Sequence, residues 1–140
     1  MDEKGIAYLQ MIQGTIDRMS TTSAIYKGFC ATIIAGVLAV SFTEINKWVL
    51  LLAVSPVICF WLIDVYYLQL EKRFRALYNR VRSGEHEVNF DLTPPAVKNL
   101  RCDEKCCIWQ CIKSPSIYLF YGPSIVILGI IIIMKFRGIV

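Results

Sequence analysis

The chain has 140 residues, is 56% apolar and carries a formal net charge of +4, with a mean hydropathy of +0.51. A soluble domain of this size rarely runs so apolar, and uncharged runs near twenty residues point to membrane spans. Once those are set aside, too little chain remains for a separate catalytic domain. The expected fold is therefore all-α: an integral membrane protein with about three transmembrane helices and cytosolic extensions.

Residues 1–23 are polar and mixed in charge, with no apolar signal-peptide core, so the first span is expected to stay as an anchor. Ile6, Leu9, Ile12, Ile16 and Met19 recur at helical spacing and put an apolar face on residues 5–26. Residues 1–27 thus read as a cytosolic amphipathic helix, lying in the interface or packed on another cytosolic helix. Residues 28–42 are uncharged and can just span, with Lys27 snorkelling at one end. One face carries Gly28, Ala31, Ala35 and Ala39, with Gly36 close by. Small residues so spaced let two helix backbones approach in lipid. The contact is either with another copy or pore, or with the second span of the same chain.

A polar hairpin at 41–47 holds Lys47 opposed by Glu44, whereas Lys72, Arg73, Arg75, Arg80 and Arg82 follow the second span. The positive-inside rule therefore places the N-terminus and residues 71–116 in the cytosol and the hairpin outside. The second span, 48–70, carries Trp48 at one end and Trp61, Tyr66 and Tyr67 toward the other, as an aromatic belt would. Pro56 predicts a mid-span kink or a freed carbonyl. Asp64 is the one acid in the apolar part. It is either a functional carboxylate, for instance at a pore mouth or paired to a base, or an interfacial one, bonded to a hydroxyl or through water to Lys72 or Arg75.

No break signal separates this span from a basic continuation through Arg82, with Gly84 as a helix stop. Leu70, Phe74, Leu77 and Val81 form an apolar seam that needs a partner helix, and the N-terminal helix of the same or a neighbouring chain fits. The opposite basic face meets either anionic headgroups or a phosphate-bearing ligand. Residues 85–100 read as a loop, with Val88 to Leu92 a candidate short strand. His86, the single histidine, is either a pH or metal group or an ordinary loop residue.

In the run RCDEKCCIWQCIK, Cys102, Cys106, Cys107 and Cys111 do not match a structural zinc spacing. They are expected to be reduced, half-buried thiols, with Ile108, Trp109 and Ile112 on the apolar side, and an intersubunit metal site or redox cross-linking is the alternative. Residues 117–135 form a third apolar segment, uncharged from Ile117 to Met134, with Gly122 and Pro123 expected to kink or interrupt it. A full crossing would leave Lys135 and Arg137 outside, and the larger basic content of residues 71–116 outweighs them. A re-entrant segment is the alternative. No hydrolase triad, phosphate loop, dinucleotide fingerprint or zinc-protease motif is present, so a non-enzyme without cofactor or metal is expected.

The run FWLIDVYYLQLEKRFRALYNRVR, preceded by MIQGTIDRMSTTSAIYKGF, resembles small bacterial multi-span transmembrane effectors of phage-defence cassettes. The Hailong-type channel effector is the nearest of these, and the retron-type transmembrane effector is second. The resemblance implies a homo-oligomeric inner-membrane pore that depolarises the cell. It also implies a nucleotide or oligonucleotide second messenger, made by a partner nucleotidyltransferase, that gates the pore. Under that reading Arg73, Arg75, Arg80, Arg82, Lys98, Arg101 and Lys105 hold phosphates. Tyr78, Phe90 and Trp109 stack on bases. Thr32, Gly36, Pro56 and Asp64 line or gate the pore. From a different class, a non-conducting membrane anchor or sensor would dock a cytosolic partner through the N-terminal helix and the 70–83 seam.

Overall fold

The computed structural model describes residues 3–41, 43, 46–100 and 108–138, with only the backbone of Lys47 and Val49. Among these the chain is helical and has no strand: α1 (Glu3–Ser41), α2 (Lys47–Leu52), α3 (Val54–Arg82), a 3-10 turn (Val97–Asn99), α4 (Ile108–Ile112) and α5 (Pro115–Phe136). Three helices are long and apolar enough to cross a membrane, within Glu3–Ser41, Leu50–Arg82 and Pro115–Phe136. The chain divides into two compact units. One comprises Met1–Ser23 with Val65–Cys111, the other Ala24–Asp64 with Ile112–Val140.

The amphipathic segment and the first apolar segment are one uninterrupted 39-residue helix. Nothing at Lys27 and Gly28 stops it, because a single glycine costs a helix only about 1 kcal/mol. The kink expected at Pro56 takes the form of a helix break three residues before it. α2 ends at Leu52, Ala53 forms a turn, and Pro56 sits in the first turn of α3 rather than mid-span. There its missing N–H is one of the groups a helix leaves unsatisfied anyway, and its ring excludes the carbonyl of a preceding turn. Asn46 precedes α2 and accepts a hydrogen bond from the Trp48 N–H at 3.1 Å, an N-cap. α5 is likewise unbroken through Pro123, so the expected interruption does not occur. Pro115 opens it at a position where proline is tolerated.

In the first unit the seam finds its partner within the chain. Phe74, Leu77 and Val81 of α3 form one buried cluster with Tyr8, Ile12, Ile16 and Met19 of α1, and Leu9, Tyr67, Leu70, Tyr78 and Leu92 pack around it. The buried face is turned slightly from the expected one. Tyr8 is fully buried, while Ile6 is 47% exposed. The seam offered above as a docking site is therefore already covered.

The second unit has the opposite polarity. Leu51, Leu52, Ile58, Leu62, Ile125, Val126, Ile130 and Ile133 point outward, and Val57, Ile117 and Leu128 are buried. α2 packs on α5. Lys135 near the end of α5 donates to the carbonyls of Ser41 (3.1 Å) and Thr43 (2.7 Å), capping the end of α1. A lysine is held there because the last carbonyls of a helix have no intrahelical partner.

Candidate functional site

The interior of the apolar unit holds a charge pair. Lys27 Nζ lies 3.2 Å from Asp64 Oδ2, with the Asp64 side chain fully buried and Lys27 19% exposed. Lys27 also donates to Ser116 Oγ at 2.9 Å. Cys30 and Tyr121, both buried, are close enough to Asp64 to interact with its charge. Three helices thus contribute: α1 through Lys27 and Cys30, α3 through Asp64, α5 through Ser116 and Tyr121. Lys27 and Cys30 share a face because they are three residues apart. Of the alternatives for Asp64, the structure has the carboxylate paired to a base. It is not a wet interfacial group tied to Lys72 or Arg75, and Lys27 is not snorkelling outward. Burying one charge without the other would cost several kcal/mol, so each makes the other tolerable.

The other proposed pore residues lie apart from this pair. Thr32 is exposed and bonds back to the Gly28 carbonyl at 3.0 Å, a common local bond for a helical threonine. Gly36 is exposed, and a Cβ added there would meet nothing within 4 Å. Pro56 is half-buried in the first turn of α3. Ala31, Ala35 and Ala39 are exposed with Gly36, so the small-residue face of α1 is not used against the second span of its own chain.

In the first unit the basic helix serves the loop that follows it. Arg73 donates to the carbonyls of Pro95 (2.9 Å) and Pro94 (3.2 Å), and Arg80 to that of Asn99 (2.7 Å). Arg75 pairs with Glu71 one turn earlier at 2.7 Å. Lys98 is exposed in the 3-10 turn. Arg101 and Lys105, with Cys102, Cys106 and Cys107, lie outside the described residues. Tyr78 packs beside the buried cluster. Phe90 packs against Tyr8 with ring centroids 5.6 Å apart, and its φ of 57° is the left-handed region. Trp109 is 71% exposed and Ile108 53%, whereas Cys111 is buried, so α4 turns a thiol inward rather than its expected apolar side.

The loop is not a strand at 88–92 but a chain of side-chain turns. The Asp91 N–H donates to Asn89 Oδ1 (3.0 Å), and Thr93 donates to Asp91 Oδ1 from both its N–H (2.9 Å) and its hydroxyl (2.6 Å). The two Thr93 bonds hold the Asp91 carboxyl below the usual carboxylate range. Tyr8 donates its hydroxyl to the Asp91 carbonyl. Burial, then the Asp91 charge, push the Tyr8 phenol up, so it stays protonated and able to donate. Gly84 takes φ +75° just past α3, where a left-handed stop is needed. Tyr8 escaped the sequence pattern because tyrosine was not counted among the apolar positions. Its spacing of four from Ile12 was the available signal.

No protein-family model, no curated protein and no solved structure matches this chain.

Proposed function

We propose that this chain is one subunit of an oligomeric, non-enzymatic membrane pore whose closed state is locked by the Lys27–Asp64 pair. The observation that carries the proposal is a fully buried carboxylate paired with a lysine inside an otherwise apolar three-helix unit. Ionisable groups at such positions cost several kcal/mol and are kept where conduction or switching needs them. The exposed face of Gly28, Ala31, Ala35, Gly36 and Ala39 supports assembly, since it lets a second copy approach closely. The resemblance extends the reading to a bacterial inner-membrane effector that depolarises the cell in phage defence. The N-terminus and residues 71–116 are then cytosolic and respond to a nucleotide or oligonucleotide.

Liposome reconstitution tests the proposal. The expected result is ion flux that increases when Asp64→Asn weakens the pair, together with loss of membrane potential in expressing cells. A chain that carries no ions in liposomes, with or without the substitution, while a soluble protein co-purifies with it, refutes the pore and leaves the anchor reading.

A further inference from the structure

The basic residues divide into those already engaged and those that are not. Arg73, Arg75 and Arg80 are held by the loop carbonyls and by Glu71. Arg82, at the end of α3, and Lys4, in the first turn of α1, have no side-chain partner among the described residues. Both line one cavity of about 470 Å³ in the first unit, with His86, Ser83 and the backbone of Gly5 and Gly84. Among the described residues no acidic side chain lines it, the carboxylates of Glu3, Glu85 and Glu87 being next in sequence to lining residues but not lining it themselves. Lys4 and Arg82 are exposed and His86 is half-buried, so the cavity opens to solvent. Three chain segments therefore bring two fixed cations and a protonatable imidazole to one concave surface. Lys4 and Gly5 belong to the first turn of α1, which also carries Glu3.

We infer that this cavity binds an anion carrying two or more phosphate groups, with Lys4 and Arg82 as the principal contacts and His86 as the third. A monoanion would leave part of the charge uncompensated, whereas a diphosphate spans several donors. Arg82 presents a planar fork suited to two oxygens of one phosphate, and Lys4 supplies a point charge. The inference names the place and chemical class of the cytosolic ligand in the proposed function. It rests on that reading only for what binding does to conduction.

The test uses the full-length protein in nanodiscs and pyrophosphate as the probe, followed by isothermal titration calorimetry. Orthophosphate is the comparison, and the lipid is either phosphatidylcholine alone or phosphatidylcholine with phosphatidylglycerol. Pyrophosphate should bind more tightly than orthophosphate, and its affinity should fall as salt rises. Lys4→Ala and Arg82→Ala should each weaken it by about tenfold. Arg18→Ala lies outside the cavity and should leave the affinity within twofold. Circular dichroism of each variant checks that the helices persist, and His86→Gln gives a third, milder variant. Competition by phosphatidylglycerol would identify a lipid headgroup as the source of the phosphate, and equal affinity in both lipids would identify a free anion. Unchanged affinity in both Lys4→Ala and Arg82→Ala, or no pyrophosphate binding in either lipid, overturns the assignment. Conduction is measured separately. A protein that binds pyrophosphate but carries no ions keeps this site and loses the pore, and the reverse result loses the site alone.

Discussion

The two units of this chain are built with opposite polarity. In the first, Ile12, Ile16, Leu77 and Val81 are inside, while Arg75, Arg82 and Lys98 are outside. In the second, Leu52, Leu62, Ile130 and Ile133 are outside, and Lys27, Asp64 and Tyr121 are within. Water removes apolar surface from contact with itself, so the first unit hides its seam. The second unit does the reverse, as a chain would whose apolar side chains meet lipid and whose charged groups lipid cannot solvate. α1 and α3 each pass from one regime to the other without interruption. The change of partner, not of secondary structure, marks the boundary.

The largest effect should come from breaking the pair in the second unit. Asp64→Ala leaves a lysine in an apolar interior and should lower stability by about 3 kcal/mol, near the low end because Lys27 retains some exposure. Thermal unfolding in detergent measures it, and Lys27→Met with Asp64→Leu should recover most of the loss. If the single substitution is silent, the inversion of polarity between the units is not energetic. In the first unit, Leu77→Ala removes a fully buried side chain and should cost about 2–5 kcal/mol. It should do so without changing conduction, since the pore is assigned to the other unit.

Smaller effects sharpen the contrast. Tyr8→Phe deletes the tether to the Asp91 carbonyl and should cost about 1 kcal/mol. Faster proteolysis within residues 85–100 reports it. Gly36→Leu faces open space, so the fold should tolerate it and the helix should gain up to about 1 kcal/mol. Cross-linking should nonetheless show loss of oligomers, because the bulky side chain keeps two backbones apart. A subunit that still assembles with Leu at 36 removes this face from the interface. The smallest effect is in acid. The Asp91 carboxyl titrates lower in the folded chain than its ordinary value of 3.8. The stability it lends is present above that value and is lost as pH falls through the folded one. Loop proteolysis should therefore rise below about pH 4, and Thr93→Val should abolish the rise.

Much of the architecture was legible in the residues alone. Apolar runs in 28–42, 48–70 and 117–135 mark three helices long and apolar enough to span, because length and hydropathy are local properties of the residues. The seam of Phe74, Leu77 and Val81 follows from helical periodicity, and Gly84 from the need for a left-handed stop. These are local properties, written within a turn or two of each residue.

Tertiary structure decided the pairings. Asp64 and Lys27 are distant in sequence, and only the folding of α3 against α1 and α5 shows which base Asp64 meets. The same holds for Tyr8 with Asp91, and for Arg73 and Arg80 with carbonyls of their own loop. Backbone carbonyls are present at every residue and leave no mark in the sequence, so an arginine that binds one cannot be told from an arginine that awaits a ligand. The sequence determined which segments are helical and which faces are apolar. The fold determined which charges are already satisfied and which, like Lys4 and Arg82, still face a cavity.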